Sequence, residues 1–406
     1  MRSPGSDPPP AQTTFREVFA VAEFRALWLA QVLSVAGDQL ARVALTLLVF
    51  SRTHSALLAA VTFVASIVPT FIGGLTLSGL ADRLPRRQVM IACDLVRAAL
   101  VVVMALPGMP LAAMVSLLFV VTLVSAPFSS ARAALYPEIL QGDRYVLGTA
   151  VTLTTIQFAQ VLGFAAGGAV VGFFGVRTSL LVDAATFIAS AVLTRALVGA
   201  RPAARAPQAA RSSIVGDLSA GVRLVFGNPA LRTPMLLGWL VAFYNVPEGV
   251  VAPLAHDLGG GDVAAGFLLA AGAFGASVGA IAFSRLVGPV QRLRWMRPIA
   301  ILPCAVLTLF GFMPALPAAL IILTVSGLFD CYQLSANASF VRATPAERRG
   351  QAFGIAQGGM SLGQGTAMIV AGAAAERFAP SDVIAVAGAV GAVLAILIAV
   401  GRRSAR

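Results

Sequence analysis

Lysine is absent from the 406 residues, so the positive charge is all arginine: 29 basic residues against 17 acidic ones, a formal net charge of +12. Without lysine there can be no phosphate-binding loop of the GxxxxGK[ST] type, which excludes an ATP-driven pump on this chain. Charge is scarce as well, at 11% of residues where a soluble domain carries about 25%. The three cysteines, Cys93, Cys304 and Cys331, fall in apolar stretches with no CxxC spacing, so neither a disulfide framework nor a thiolate metal site is suggested. The two histidines, His54 and His256, stand alone in connectors, as solvated histidines do. No nucleophile has a neighbouring base and no metal-ligand cluster occurs at a plausible spacing, so no enzyme, resident cofactor or metal is expected. The start, MRSPGSDPPPAQTTFREVFAVAEFR, lacks the apolar core and small-residue cleavage site of a secretory signal, so the first spanning helix is expected to direct insertion.

What is there instead is apolar sequence, 58% of residues, at a mean hydropathy of +0.88. A spanning helix needs about 20 apolar residues, and apolar runs recur near 26–50, 56–80, 88–107, 110–131, 147–173 and 177–197, then near 234–256, 263–285, 297–313, 316–340, 352–375 and 382–400. The expected fold is all-α and integral to the membrane: twelve transmembrane helices in two pseudo-symmetric six-helix bundles. The expected divisions are a disordered N-terminus (1–23), a first bundle (24–198), a linker (199–232), a second bundle (233–400) and a tail (401–406). Within the linker, Ile214, Leu218, Val222 and Val225 recur at roughly helical spacing, which reads either as a short helix on the membrane surface or as a solvated connector.

Arginine placement orients the bundle, because short arginine-rich loops are not readily translocated. With the N-terminus inside, 24 arginines fall in inner segments and three, Arg52, Arg177 and Arg377, in outer ones, leaving Arg42 and Arg97 within helices. Both termini are therefore expected in the cytoplasm. The arginines are spread over many segments rather than gathered in one patch, which argues against a nucleic-acid partner.

A charge at the centre of a spanning helix costs about 2.5–3.5 kcal/mol on insertion scales, so each needs a reason. Asp38 lies 13 residues beyond Arg25, about 20 Å into the bilayer. Gln31, Asp38 and Arg42 share one helix face, consistent either with an internal Asp38–Arg42 pair or with a substrate- or proton-coupling role. Asp330 is again near mid-depth, and Gln333 and Asn337 follow at i+3 and i+7, one polar stripe that should line water. Helix 7 offers Tyr244, Asn245 and Glu248 beside Pro247, and helix 4 supplies Ser116, Ser125 and Ser129. Asp183, near the start of helix 6, reads as a local structural residue. Helices 5 and 11 are both Gly/Ala-rich with scattered glutamine, a weak repeat of the kind found in rocking transporters, and small residues such as Gly163, Gly167, Gly168 and Gly172 favour close helix approach.

The connector SGLADRLPRRQVM, from Ser78 to Met90, resembles the inner-loop signature of the major facilitator superfamily. Taken with FRALWLAQVLSVAGDQLARVALTLLVF in helix 1 and TPAERRGQAFG from Thr344 to Gly354, the chain is similar to the superfamily's drug-exporting branch, which includes enterobactin-type siderophore exporters. Ser78 and Pro85 depart from the glycines usual at their positions. The resemblance implies an inner gate in which Gly79 shapes the turn, Asp82 faces the start of helix 11 near Gly350, and Arg83, Arg86 and Arg87 are its partners. Asp94 and Arg97, one turn apart on helix 3, would extend that network; otherwise these are ordinary charges of an inner loop. It also implies that helices 1, 4, 7 and 10 line a central cavity, so that Asp38 and Asp330 face one aqueous vestibule.

A carboxylate that can load and release a proton as such a cavity alternates suits an exchanger. One charge crossing 100 mV carries about 2.3 kcal/mol, enough for a gradient of roughly 50-fold. The leading expectation is proton-coupled efflux of hydrophobic or amphipathic small molecules from the inner membrane by a monomer in contact with lipid. A proton-coupled importer shares every feature named, and a membrane sensor or assembly partner without transport activity is the alternative of another class.

Overall fold

The structure is a computed structural model that describes residues 14–77, 80–201, 214–345 and 348–400. The described residues are almost wholly helical. Along the chain we number α1 (Ala22–Thr53), α2 (Ala56–Thr76), α3 (Arg86–Met104), α4 (Leu111–Ile139), α5 and α6 (the two parts of Asp143–Leu197), α7 (Pro229–Asp257), α8 (Gly261–Leu286), α9 (Val290–Phe312), α10 (Leu316–Ala343), α11 (Arg349–Ala374) and α12 (Pro380–Val400).

Eight continuous helical stretches among the described residues are long and apolar enough to cross a bilayer. One of them, Asp143–Leu197, runs 55 residues, about twice what a membrane needs. Gly175 breaks it with φ 81° and ψ 167°, a backbone conformation that costs glycine little and other residues much, so α5 and α6 fold back as two passes. The stretch α7 is bent by 47° at Val250. The charged α3 and the Gly- and Gln-rich α11 are less apolar, but their 19 and 26 residues reach about 28 and 39 Å. Side chains such as Phe173, Val192, Val386 and Leu397 stand exposed on the flanks, as expected where the solvent is lipid.

Several boundaries differ from the sequence reading. Part of the segment expected to be disordered is helical: Phe15–Ala20 forms a helix, and Val18 is fully buried in a cluster with Phe24 and Leu140. Helix α4 continues eight residues past the expected 131, carrying Glu138 on its last turn. The linker contains the helix Ile214–Gly227, but it packs on the bundle instead of lying free on a surface. Val225 is buried among Leu231, Met235, Phe340 and Ile355, and Gly221 lies against Gln351. Asn228 caps α7, its side-chain oxygen accepting from Ala230 N–H, so that helix begins at 229. Residues 1–13 and 401–406 lie outside the described residues.

The two halves meet along α2 and α11 and along α5 and α8, most closely at the end away from the arginine-rich loops. Gly168 of α5 and Gly266 of α8 touch backbone to backbone: a Cβ on Gly168 would stand 2.7 Å from Gly266 Cα. At the same end Glu376, just past α11, accepts from the Ser55 hydroxyl at 2.7 Å and from Leu57 N–H at 2.9 Å. Ser55 is the N-cap of α2, so a carboxylate from one half satisfies free amides at a helix start of the other, where the helix dipole favours an anion. Those hydrogen bonds, that of Leu57 foremost, hold the Glu376 carboxyl below its ordinary range.

Candidate transport site

The N-terminal half buries a charge cluster. On α3, Asp94 and Arg97 are 0% and 1% exposed. The Arg97 guanidinium pairs with Asp38 of α1, lies 3.8 Å from Asp94 Oδ1, donates to the Ser34 hydroxyl at 3.2 Å and stacks 3.9 Å over the Phe187 ring of α6. Ser190, also on α6, donates to Asp94 Oδ2 at 2.6 Å. Asp183 completes the ring at 1% exposure, and neither of its carboxylate oxygens has a hydrogen-bond partner.

Three expectations change here. Asp38 pairs across to α3 instead of along its own helix to Arg42. Arg42 turns to α2, where its Nη2 donates to the Ser66 carbonyl at 3.1 Å. That carbonyl is free because α2 breaks at Ser66–Ile67 and Thr70 N–H bonds to Ile67 instead. Asp94 and Arg97 lie in this interior cluster, where three helices close around them, instead of beside the inner-loop arginines. Asp183 forms no local cap: it faces the cavity that Asp38, Arg42 and Arg97 also line, about 120 Å³ in volume. Gln31 is buried, with no partner for its side-chain oxygen.

The gate residues are placed differently from expectation too. Arg86 pairs with Glu138 and donates to the Ala134 carbonyl at 3.2 Å, and Arg87 donates to the Arg195 carbonyl. Both partnerships stay within the first half, because the longer α4 brings Glu138 to the basic pair. Arg83 is exposed at the end of the short helix Leu80–Arg83. Gly79 and the side chain of Asp82 lie outside the described residues.

The C-terminal half holds the second polar site, on two helices with broken regularity. In α10 a 3₁₀ turn, Phe329–Cys331, interrupts the helix at Asp330, and α7 is divided into short turns around Asn245 and Val250. Interruptions at this depth need partners from neighbouring helices, and α10 supplies them: Tyr332 donates to the Leu237 carbonyl at 2.9 Å and Gln333 to the Gly238 carbonyl at 3.1 Å. Gln333 Nε2 also donates to the Tyr244 hydroxyl at 2.9 Å, and that hydroxyl donates to Asp330.

Asp330, Tyr244, Asn245 and Glu248 face a cavity of about 170 Å³ between the halves, which α5 closes with Gln157 and Gln160. Its apolar walls include Leu254, Leu268, Leu269 and Leu323. Gln333 and Asn337 open on the other side into a separate cavity of about 350 Å³ beside Trp239, Phe340 and Phe353. The expected stripe is thus split between two spaces, and Asp38 and Asp330 line different cavities in this conformer. Arg42 lines the first of these cavities and Glu248 the second. The sequence reading missed Ser34, Phe187, Ser190 and the pair Gln157 and Gln160 as site-forming residues. Asp183, Phe187 and Ser190 recur at i, i+4 and i+7, a helical stripe that was there to be read.

A two-half helical bundle with discontinuous helices and carboxylates at mid-depth is the architecture of a secondary transporter. The chain belongs to the Major Facilitator Superfamily, whose family model matches residues 27–325 and 245–405. It is similar to the multidrug efflux pump Tap of Mycolicibacterium fortuitum, 26% identical over 356 residues that cover 84% of this chain and 86% of that one. It is likewise 26% identical over 300 residues to the enterobactin exporter EntS of Escherichia coli O1:K1, covering 72% and 70% of the two chains. Among solved structures, a POT family transporter in complex with 5-aminolevulinic acid superposes with a TM-score of 0.75 at 11% identity, over 97% of this chain and 98% of that one. The nucleoside transporter NupG superposes at 0.68 and 16% identity, over 93% and 98%. The protein is therefore a multi-pass inner-membrane transporter of small molecules, in a family of transporters rather than enzymes.

Proposed function

We propose that this protein exports amphipathic small molecules, drug-like or siderophore-like, in exchange for protons by alternating access. The observation that carries the reading is the cavity between the halves, where Glu248 and Asp330 stand among leucines. Such a space takes an apolar body together with a cationic or hydrogen-bonding group. A carboxylate there can hold a proton or meet a substrate cation, and competition between the two couples the fluxes. Asp38, paired with Arg97 and 35% exposed at its side chain, is the corresponding carboxylate of the first half. The names of the exporter relatives support the outward direction. The arginine distribution supports both termini in the cytoplasm, with the closed end of the bundle facing outward.

The test is accumulation of a fluorescent lipophilic cation in cells stripped of their own efflux pumps. Expression is expected to lower accumulation, collapse of the proton gradient to restore it, and Asp38→Asn or Asp330→Asn to cut the effect at least about tenfold, the scale of one lost charge interaction. Retention above that of empty cells would reverse the direction, and export that survives loss of the gradient would remove proton coupling.

A further inference from the structure

The arginines of the two halves are answered differently. In the first half three of them meet carboxylates: Arg86 with Glu138, Arg144 with Glu17 at 3.6 Å, and Arg201 with Glu23 at 2.7 Å. In the second, residues 286–345 include four arginines and one acid, Asp330, which is bonded to Tyr244 deep in the bundle. Three of those arginines, Arg294 and Arg297 at the start of α9 and Arg342 at the end of α10, line one open-sided cavity of about 720 Å³ with Thr233 and Ser339. Arg297 reaches the Ala399 carbonyl at 3.4 Å. Among the described residues no hydrogen bond or ion pair engages the guanidinium of Arg294 or Arg342. The fourth, Arg292, is turned away onto the carbonyls of Val287 and Ser284.

From this we infer that the cavity is a binding site for the headgroup phosphate of an anionic phospholipid. Guanidinium groups match phosphate oxygens with parallel donors, and three converging on one space without a protein anion leave its charge to be met from outside. The surroundings select a lipid over a free anion. Leu293 and Met296 line the cavity beside the arginines, Leu293 is 42% exposed, and Trp295, next in sequence to Arg294, is 52% exposed, apolar and aromatic side chains of the sort that sit at the headgroup layer and lie along acyl chains. Basic pockets between helix ends are where anionic lipid headgroups dock. Because α7, α9 and α10 all border the cavity, a bound headgroup ties together the ends of helices that carry Tyr244, Glu248 and Asp330. The inference does not depend on the direction or coupling of transport.

The full chain, purified in a neutral detergent, is titrated with phosphatidylglycerol or phosphatidylcholine in mixed micelles, and thermal stability and retained lipid are measured. Phosphatidylglycerol is expected to stabilise the protein and to be retained. The triple variant Arg294→Gln, Arg297→Gln, Arg342→Gln should lose apparent affinity on the order of a hundredfold, about one kilocalorie per arginine. A control triple, Arg285→Gln, Arg348→Gln, Arg349→Gln, removes equal charge from the same end and should bind as wild type. If the first triple does not fold, Arg294→Gln and Arg342→Gln singly should each weaken binding about fivefold. Equal response to phosphatidylcholine, equal loss in the control, or the same stabilisation by inorganic phosphate alone would overturn the assignment.

Discussion

Arg97 shows how a single side chain can carry a half-bundle. It is 1% exposed and joins three helices at once, through Asp38 of α1, Asp94 of its own α3 and the Phe187 ring of α6. Breaking a buried pair by removing one partner leaves the other charge stranded, at a cost of about 3–5 kcal/mol. Arg97→Met is therefore expected to lower the thermal midpoint of the purified protein sharply, whereas Asp38→Asn, whose partner keeps Asp94, should stay near wild type. Comparable midpoints for Arg97→Met and wild type would show that the cluster does not hold the fold. The cost of mid-membrane charge marks Asp38 from sequence alone. Its partner is not legible there, because Arg42 lies four residues away on the same face while Arg97 lies 59 residues on. The break in α2 at Ser66 diverts Arg42, and nothing in the composition of VASIVPT announces that the Ser66 carbonyl will need a donor.

Among the elements, interruptions matter more than lengths. Pro247 in α7 and the 3₁₀ turn at Asp330 in α10 place the polar groups where helix regularity fails, and such mid-helix 3₁₀ turns often mark functional hinges. The glycine contacts do the opposite work, letting α5 and α8 close on each other. A Cβ at Gly168 would also stand 2.7 Å from the Asp262 carbonyl oxygen, with backbone on both sides and nowhere to yield. Gly168→Val is expected to cost the closed end about 1–3 kcal/mol and shift the conformational equilibrium roughly 10- to 100-fold. Faster labelling of a cysteine introduced at Phe50, which faces His256 across the halves, reads the shift; unchanged labelling would show that this contact does not govern closure. The apolar runs placed most helix ends to within about four residues, although α7 begins five and α9 seven residues before the expected 234 and 297. The end of α4 escaped because Tyr136, Pro137 and Glu138 read as a connector, yet the helix continues through them, and with it went the true partner of Arg86.

For the molecule as a whole, the question is what holds one end shut while the other changes. Glu376 links the halves through the start of α2, and its carboxyl is held below the ordinary value of 4.5 by Leu57 N–H and then the Ser55 hydroxyl. A depressed value means that these bonds contribute fully above that pH and are lost as the pH falls through the depressed value. Acidification of this end through that depressed value is expected to loosen the clamp, and Glu376→Gln to loosen it modestly at neutral pH, because the group is largely exposed. Distance measurements between probes on α2 and α11 check both; a distance that does not change with acid or in the variant would exclude Glu376 as a clamp. The residues alone determined the solvent of this protein, its helices and the depth of its carboxylates, since apolar length and the cost of buried charge act locally along the chain. The packing decided which arginine answers which carboxylate, which cavity each acid enters and which arginines stay unanswered, because those depend on how distant helices rotate to satisfy one another where water cannot.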